Sequence, residues 1–394
     1  MMTNRKSVVL AALLMLPFTC VHAIKILHGP YLQDVSETEA TIVWVTDSTS
    51  VGWVETAPAD GSSFYAAVRP RFYDTAIGIK RETRVHSVRL TGLRPGTQYR
   101  YRIYAQEVLK HRGIHVHYGN ITATAAYGVP LPTFRTLDKS KPDVSFVVVN
   151  DIHEHKDVLG KLMEVSDCKT RDMVFFNGDM LSLFDDAERK LFGGFMDTAV
   201  QVFAKEVPLY YVRGNHETRG QKAHTFHDYV CPRNPNIYFT VEQGPVLFIC
   251  LDTGEDKPDT DIEYAGITDY DNYRSEQAEW LKQVVASEAF KRAKHKVVIA
   301  HVPPRYDNTA WHGDLEVGRK FVPILNEAGI DLMICGHLHR FVYEDANARH
   351  RFPLLVNTND AAVVATSNGD KLEVKVMGTD GKVSWSKTFL KVKR

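Results

Sequence analysis

The sequence is poor in cysteine and carries no net charge. It has five cysteines in 394 residues, and 48 basic residues balance 48 acidic ones. So few cysteines in a chain of this length exclude a disulfide framework as the basis of the fold. The balanced charge excludes a general attraction to nucleic acid or to an anionic membrane, so we expect no nucleic acid partner. An anionic ligand would have to be recognised by a local group of residues.

The individual cysteines give no further pattern. Cys250 and Cys335 lie in the strand-like runs "VLFICLD" and "DLMICGH", where a buried free thiol is the expected state. Cys168 and Cys231 could form a pair, and the sequence leaves that question open.

The N-terminus has no apolar run long enough to span a membrane. In "MMTNRKSVVLAALLMLPFTCVHAIK", two basic residues precede an apolar run at 8–18 and a small-residue cleavage signal at 21–23. A spanning helix needs about 20 apolar residues, so a secretory signal peptide is favoured over an anchor. We predict a signal peptide at 1–23, no transmembrane anchor after its cleavage, and export to the periplasm, cell surface or exterior.

Short alternating strands are predicted for residues 24–137. Stretches such as "EATIVWVT", "HSVRLTGL" and "QYRYRIYAQ" are separated by Gly, Pro, Asp and Ser, and no helical pattern interrupts them. This predicts an N-terminal all-β sandwich. The phrase "LTGLRPGTQYRYRI", followed by "FRTL", resembles the fibronectin type III domain.

The pattern changes after "DKSKP" at 138–142, which is typical of a linker. Apolar strands now alternate with helical segments such as "SEQAEWLKQVVASEAFKRA" and "LEVGRKFVPILNEAG". This alternation predicts an α/β domain with interior strands over residues 138–394. From residue 352 the chain returns to alternating strands, which we expect to complete a second sheet.

Five of the apolar strands end in side chains that can bind a metal ion. Strand ends converge on one rim of an α/β sheet, so these side chains are expected to meet in one cleft. Carboxylates, an amide oxygen and imidazoles suit zinc, manganese or iron. There are enough of them for two ions, which suits phosphoester hydrolysis. The residues are Asp151, His153, Asp179, Asn215, His216, His301, His337 and His339.

The order of these motifs resembles that of the calcineurin-like metallophosphoesterases. The family has Asp-x-His or Asp-x-Gly, Gly-Asp, Gly-Asn-His-Asp/Glu, His and Gly-His-x-His. This chain has "NDIHEH", "NGDM", "GNHE", "IAHVPP" and "CGHLH" in that order. With the fibronectin-like domain in front, the chain is similar to the purple acid phosphatase branch. The resemblance implies a catalytic domain of two packed β-sheets flanked by helices.

One position departs from the purple acid phosphatases. Their Gly-Asp-x-x-Tyr motif supplies the tyrosinate that ligates ferric iron and gives the colour, whereas "GDMLS" has Ser182 at that position. The branch also usually has Asp-x-Gly where this chain has "DIH". We infer that His153 replaces the tyrosinate, as in the wider family. The alternative is that His153 supports the ligands from outside or faces solvent.

The resemblance implies a role for each residue. The first metal would be held by Asp151, His153 and His339, and the second by Asn215, His301 and His337, with Asp179 bridging. A metal-activated water or hydroxide would attack phosphorus in line, without a phosphoenzyme. His216 would bind the phosphoryl group or protonate the leaving oxygen as general acid. The substrate contacts would be Asn215, His216 and His312.

Residues beside the motifs have less defined roles. Several could hold substrate or orient the ligands, although a solvated surface position or a structural hydrogen bond is the favoured interpretation for most. They are Glu217, Arg219, His224, Asp252 and Arg305.

The leading hypothesis is an exported phosphomonoesterase with two iron, manganese or zinc ions, acting on a phosphorylated small molecule. Phosphodiester hydrolysis, of nucleotides or phospholipid head groups, is the alternative because the same centre serves both reactions. A non-catalytic binding protein is a third hypothesis. A non-catalytic protein of this kind would be expected to have lost metal ligands. In this chain no ligand is lost without a substitute.

The missing tyrosine predicts a protein without the purple colour. An oxidised, iron-loaded sample should lack the tyrosinate-to-iron charge-transfer band in its visible absorption spectrum, because Ser182 offers no phenolate. Observation of that band would contradict the assignment of His153 in place of tyrosine.

Overall fold

The computed structural model describes residues 23–230 and 236–391. Residues 1–22 of the predicted signal peptide and Cys231 lie outside this range, so neither cleavage nor the Cys168–Cys231 pair is tested. Cys250 and Cys335 are buried and free, as expected. A search of the described helices for one long and apolar enough to cross a bilayer found none.

The first domain is a seven-stranded antiparallel sheet organised around one long strand, with a separate two-stranded ribbon. Its strands are β1 (Ile26–Gln33), β2 (Ala40–Pro58), β3 (Arg71–Tyr73), β4 (Thr75–Ala76), β5 (Ile79–Lys80), β6 (Glu82–Leu90), β7 (Gln98–Arg112), β8 (His115–Ala123) and β9 (Thr133–Arg135). β1 and most of β6 pair with the first half of β2, whereas β3 and β7 pair with its second half. Trp44 on β2 and Tyr101 on β7 are buried in the same core.

The second domain contains two six-stranded mixed sheets. The first has the order β12 (Leu209–Val212), β11 (Met173–Asn177), β10 (Val144–Val149), β19 (Ala361–Ser367), β20 (Lys371–Gly378), β21 (Val383–Leu390). The second has the order β13 (Phe239–Gln243), β14 (Val246–Leu251), β15 (His295–Ala300), β16 (Leu332–Cys335), β18 (Leu354–Val356), β17 (Val342–Glu344). β10 to β12 are parallel in the first sheet, as are β14, β15, β16 and β18 in the second.

The two sheets pack face to face through alternate side chains. Phe146 on β10 and Phe248 on β14 lie in this shared core, with ring centroids 4.8 Å apart. The intervening residues, such as Val147 and Val298, point outward and are covered by helices. Burial on both faces explains why these parallel strands are continuous apolar runs. The predicted order of a β-domain followed by two packed sheets with helices is confirmed.

Helices cover the outer faces of both sheets. The α-helices are α1 (Lys156–Val165), α2 (Asp197–Ala199), α3 (Tyr270–Ala286), α4 (Glu288–Arg292), α5 (His312–Lys320) and α6 (Val322–Ala328). α2 lies between two π-helical segments, Ala187–Met196 and Val200–Ala204, and short 3-10 turns occur at Cys168–Thr170, His216–Thr218 and Ala223–Asp228. α3 to α6 include the two helical segments predicted from the sequence.

The helical segment at 187–204 was not predicted. Gly193 and Gly194 lie in its middle, where glycine disfavours a helix. Leu191, Phe192 and Phe195 are buried against the first sheet of the second domain, and this packing overrides the weak local preference.

The first domain packs directly against the second. The Gln33 side-chain amide donates to the Leu209 carbonyl over 3.1 Å, and the Tyr101 hydroxyl donates to the Lys205 carbonyl over 2.8 Å. Trp44 and Phe146 belong to one continuous apolar core. The β-domain therefore supports the edge of the first sheet of the second domain.

The core between the two sheets predicts a large effect for Phe248→Ala. Phe248 is fully buried and contacts Phe146 and Phe175, so its removal leaves a cavity and should cost about 3–5 kcal/mol of unfolding free energy. Chemical denaturation measures this change. Tyr127→Ala is the control, because Tyr127 is 98% exposed and its removal should leave the unfolding midpoint nearly unchanged. Equal effects of the two substitutions would contradict the packing described.

Candidate metal centre

The loops after β10, β11, β12, β15 and β16 bring the predicted ligands together at one edge. Backbone hydrogen bonds tie these loops to each other. The Asp151 amide donates to the Gly178 carbonyl over 2.9 Å, and the His153 amide donates to the Asp179 carbonyl over 3.0 Å. The Gly336 amide donates to the His301 carbonyl over 3.0 Å. Residues from distant parts of the sequence thus share one small region.

The backbone is strained where these side chains converge. Ten non-glycine residues among those described have a positive φ, a conformation that side chains with a Cβ rarely adopt. Half of them are predicted metal ligands, namely Asp151, His153, Asp179, His337 and His339. Such strain persists only where the surrounding structure holds it, and it concentrates at functional sites.

One group of candidate ligands consists of Asp151, His153 and His339. Their nitrogen and oxygen ligand atoms lie within 4.8 Å of one another. His339 Nε2 is 3.1 Å from Asp151 Oδ1 and 3.2 Å from His153 Nε2. Asp151 Oδ1 is buried without a well-aligned hydrogen-bond donor from residues 23–230 or 236–391, whereas Oδ2 accepts hydrogen bonds from Asn150 and His337. A cation between these atoms would satisfy the orphaned oxygen.

A second group consists of Asp179, His301 and His337, with Asn215 beside them. His301 Nε2 lies 3.0 Å from Asp179 Oδ2, and its Nδ1 faces the Asn177 carbonyl at 2.7 Å. That carbonyl accepts a hydrogen bond from Nδ1–H, so Nε2 is left for a metal. Asp179 also groups with His153 and His216, so it lies between the two sets of ligands.

The Asn215 side chain tests whether a cation fits here. Its Oδ1 faces His337 Nδ1, Asp179 Oδ2 and His301 Nε2, at 3.1, 3.2 and 3.3 Å. Without a cation, the opposite amide orientation would make better hydrogen bonds. With a cation, an oxygen at this position completes a set of four converging electron-pair donors. The Asn215 oxygen at this position therefore suits a metal ligand, whereas without a cation the flipped amide would also accept a hydrogen bond from Arg219 Nη2 over 3.0 Å.

The electrostatics of the group formed by Asp179, His301 and His337 also favour a cation. Burial would lower the pKa of His301, but Asp179 and Asp151 outweigh it and raise the pKa to about 10. Burial would raise the pKa of Asp179, but His301 holds it well below its usual range. Burial, and then His301, lower the pKa of His337 to about 4, which leaves a neutral ring able to ligate. A proton on His301 therefore supplies positive charge at a position where a bound metal ion could supply it instead.

Glu217 joins the loops after β11 and β12. It is fully buried, and its two oxygens accept hydrogen bonds from the Asp179, Met180 and Gly214 amides and from the Tyr211 hydroxyl, all at 2.8–2.9 Å. The carboxylate of "GNHET" therefore orders the backbone around Asp179 and does not face the ligand groups.

His216 is fixed in one orientation beside Asp179. Its amide donates to Asp179 Oδ1 over 2.9 Å, and its ring Nδ1 lies 2.8 Å from the Ser182 carbonyl. That carbonyl can only accept, so the Nδ1 position carries a proton and Nε2 faces Asp179 Oδ2 at 3.9 Å. Ser182, at the position of the missing tyrosine, donates its hydroxyl to Glu154 over 2.7 Å.

His312 pairs with an acidic residue of α3. Its Nε2 lies 2.8 Å from Asp271 Oδ1 on α3. Its role as a substrate contact stays a prediction. Together with Asp271 and Glu316 it forms a further group of possible ligand atoms, but Lys320 and Arg319 already pair with Glu316.

Asp314, two residues further on, was not singled out from the sequence. It is fully buried, and its Oδ2 accepts a hydrogen bond from the Trp311 amide over 2.9 Å. Its Oδ1 has no hydrogen-bond partner within the described part of the chain and lies 3.9 Å from His337 Nε2. Burial raises the pKa of Asp314 to about 6. Asp314 approaches His337 only in the folded chain. The sequence "WHGDL" therefore did not indicate this contact, and only the nearness of Asp314 to His312 drew attention to it.

Comparison with known proteins gives two family matches. The model of the calcineurin-like phosphoesterases matches residues 144–341, and that of the purple acid phosphatase N-terminal domain matches residues 30–116. The resemblance inferred from the motifs is thus confirmed, whereas the likeness of the first domain to fibronectin type III stays a prediction. A comparison with curated protein sequences gave no match.

Three solved structures are similar to this chain to different degrees. Purple acid phosphatase PPD1 from yellow lupin (Lupinus luteus) seeds matches with a TM-score of 0.62 and 15% identity, over 93% of this chain and 74% of that one. The 5'-nucleotidase from Candida albicans SC5314 has a TM-score of 0.34 and 13% identity, over 65% and 52% of the two chains. The phosphoesterase Yfce from E. coli has a TM-score of 0.30 and 10% identity, over 62% and 98%. The lupin protein carries the structural likeness, which at this identity shows the fold alone.

The orphaned oxygen of Asp314 predicts an effect on metal affinity. Asp314→Asn keeps an oxygen for the Trp311 amide but removes the negative charge facing His337, so metal affinity should fall about 10–100-fold. Calorimetric titration with Zn²⁺ or Mn²⁺ measures it. Asp307→Asn, at an exposed carboxylate of the same loop, is the control and should leave the affinity unchanged. Unchanged affinity in Asp314→Asn would show that Asp314 does not support His337.

Proposed function

The chain belongs to the calcineurin-like phosphoesterase family, and we propose that it is an exported phosphomonoesterase with two metal ions. The observation that carries the proposal is the arrangement of two ligand groups on either side of Asp179. Export is supported by the basic and apolar pattern at the N-terminus.

The ligand roles proposed for the two metals follow the two groups. Asp151, His153 and His339 would hold the first ion, and Asn215, His301 and His337 would hold the second. Asp179 would be the ligand that the two ions share. The donor set of carboxylate, amide and imidazole fits zinc, manganese or iron. When bound, the two ions supply Lewis-acid activation of a water and neutralise charge on the phosphoryl group.

His153 has the geometry of a ligand more than of a solvent-facing residue. Its Nε2 lies 3.2 Å from His339 Nε2, and its ring meets that of His216 edge-on with centroids 4.8 Å apart. The position of the absent tyrosine is instead filled by Ser182, whose hydroxyl is used by Glu154. This supports the replacement of a tyrosinate by an imidazole at the first metal.

His216 serves as the general acid in this proposal. The Ser182 carbonyl holds its Nδ1 proton, so Nε2 is the nitrogen that meets the substrate. A proton on Nε2 would pass to the oxygen of the departing alcohol as the phosphorus–oxygen bond breaks. No nucleophilic serine or cysteine is needed.

The bridging role of Asp179 predicts complete loss of activity in Asp179→Ala. The substitution removes a ligand shared by both ions and leaves His301 without its carboxylate partner. Steady-state hydrolysis of p-nitrophenyl phosphate, after loading with manganese, zinc or iron, measures the change, and metal content should fall with it. Asp380→Ala removes an exposed carboxylate and is the control. Retained activity in Asp179→Ala would refute the bridge.

The choice of substrate separates the proposal from its nearest rival. Wild-type protein should hydrolyse p-nitrophenyl phosphate faster than bis(p-nitrophenyl) phosphate with each of these metals. Much faster hydrolysis of the bis-ester would favour a phosphodiesterase. A protein that holds no metal and hydrolyses neither ester would favour a binding protein.

A further inference from the structure

Arg219 is held in a fixed plane by two acidic residues. Its Nε donates to Glu255 Oε2 over 3.0 Å, and its Nη2 donates to Glu255 Oε1 over 2.8 Å and to Asp256 Oδ1 over 3.1 Å. Glu255 is 1% exposed and is itself fixed by hydrogen bonds from the Thr218 hydroxyl and the Asp256 amide. The guanidinium therefore has little freedom to rotate.

The remaining nitrogen of Arg219 points toward the candidate centre. Nη1 lies 3.4 Å from His216 Nε2, which is in turn 3.9 Å from Asp179 Oδ2. The hydrogen bonds of Arg219 to Glu255 and Asp256 come from Nε and Nη2, so Nη1 is the nitrogen that these contacts do not use. The side chain is 19% exposed, so an incoming ligand can reach it.

A guanidinium fixed beside His216 would bind a phosphomonoester and a phosphodiester with different strength. A phosphomonoester has three terminal oxygens and up to two negative charges, whereas a diester has two terminal oxygens and one charge. Hydrogen bonds from a guanidinium to an anionic phosphate oxygen are stronger than those to an esterified, nearly neutral one. A rigid group also cannot move aside for the second alcohol of a diester, which adds a penalty against that substrate.

We propose that Arg219 determines specificity for phosphomonoesters by binding, through Nη1, the terminal oxygen that a diester replaces with a second ester oxygen. Arg219 and His216 lie on one turn, His216–Thr218 and the residue after it, so both reach the same side of the phosphoryl group. Glu255 is a positioning residue that keeps Nη1 aimed at this place. The inference rests on the proposed function and names the substrate class of the same site.

The experiment compares kcat/KM for p-nitrophenyl phosphate and bis(p-nitrophenyl) phosphate in wild-type protein and in Arg219→Gln. With equal metal content, kcat/KM for the monoester should fall about 10²-fold, the effect of losing one donor to a charged oxygen, while that for the diester changes little. Arg219→Lys keeps the charge without the fixed fork and should lose less. Glu255→Gln, which weakens the hold on Arg219, should lower the monoester-to-diester ratio in the same direction.

The control is Arg292→Gln, which breaks an exposed arginine–glutamate pair with Glu242 and should leave the ratio unchanged. Equal losses for both esters in Arg219→Gln, or an unchanged ratio, would overturn the inference, because a merely structural role affects both substrates alike. Wild-type protein that hydrolyses neither ester would contradict the proposed function itself. The two failures are therefore distinguishable.

Discussion

Two buried carboxylates at the ends of neighbouring parallel strands, Asp151 and Asp179, set the constraint on which the site depends. Both side chains are removed from water, and His301 Nε2 lies 3.9 Å from an oxygen of Asp151 and 3.0 Å from one of Asp179. Buried negative charges are costly unless positive charge lies close by. The converging nitrogens and the Asn215 oxygen form a place where cations can supply it.

The surrounding structure is arranged to hold these charges in position. Backbone amides donate hydrogen bonds to Asp179 and Glu217, and five of the predicted ligands have a positive φ. The packed sheets below provide the rigidity that such strain requires, since Phe146, Phe175 and Phe248 interlock between them. The β-domain adds to this support through hydrogen bonds to residues 205 and 209. The packing of both domains therefore helps to keep the predicted ligand side chains in position.

Much of this could be predicted from the sequence because strong local patterns carry it. Parallel strands buried on both faces appear as apolar runs, and the residues that follow them must share one edge. The helical segment at 187–204 could not be predicted, because its stability comes from Phe192 and Phe195 packing across a glycine pair. The roles of Asp314 and Glu255 depend on contacts with residues 23 to 36 positions away, which no local pattern encodes. The sequence directed attention to the loop of His312, but the fold pairs that histidine with Asp271.

The most direct test is a crystal structure of the manganese- or zinc-loaded protein with anomalous scattering measured at the metal edge. The account predicts two anomalous peaks about 3.5–4 Å apart, both in contact with Asp179, one beside His153 and His339 and the other beside His301 and His337. A single peak, or two peaks that Asp179 does not join, would contradict it.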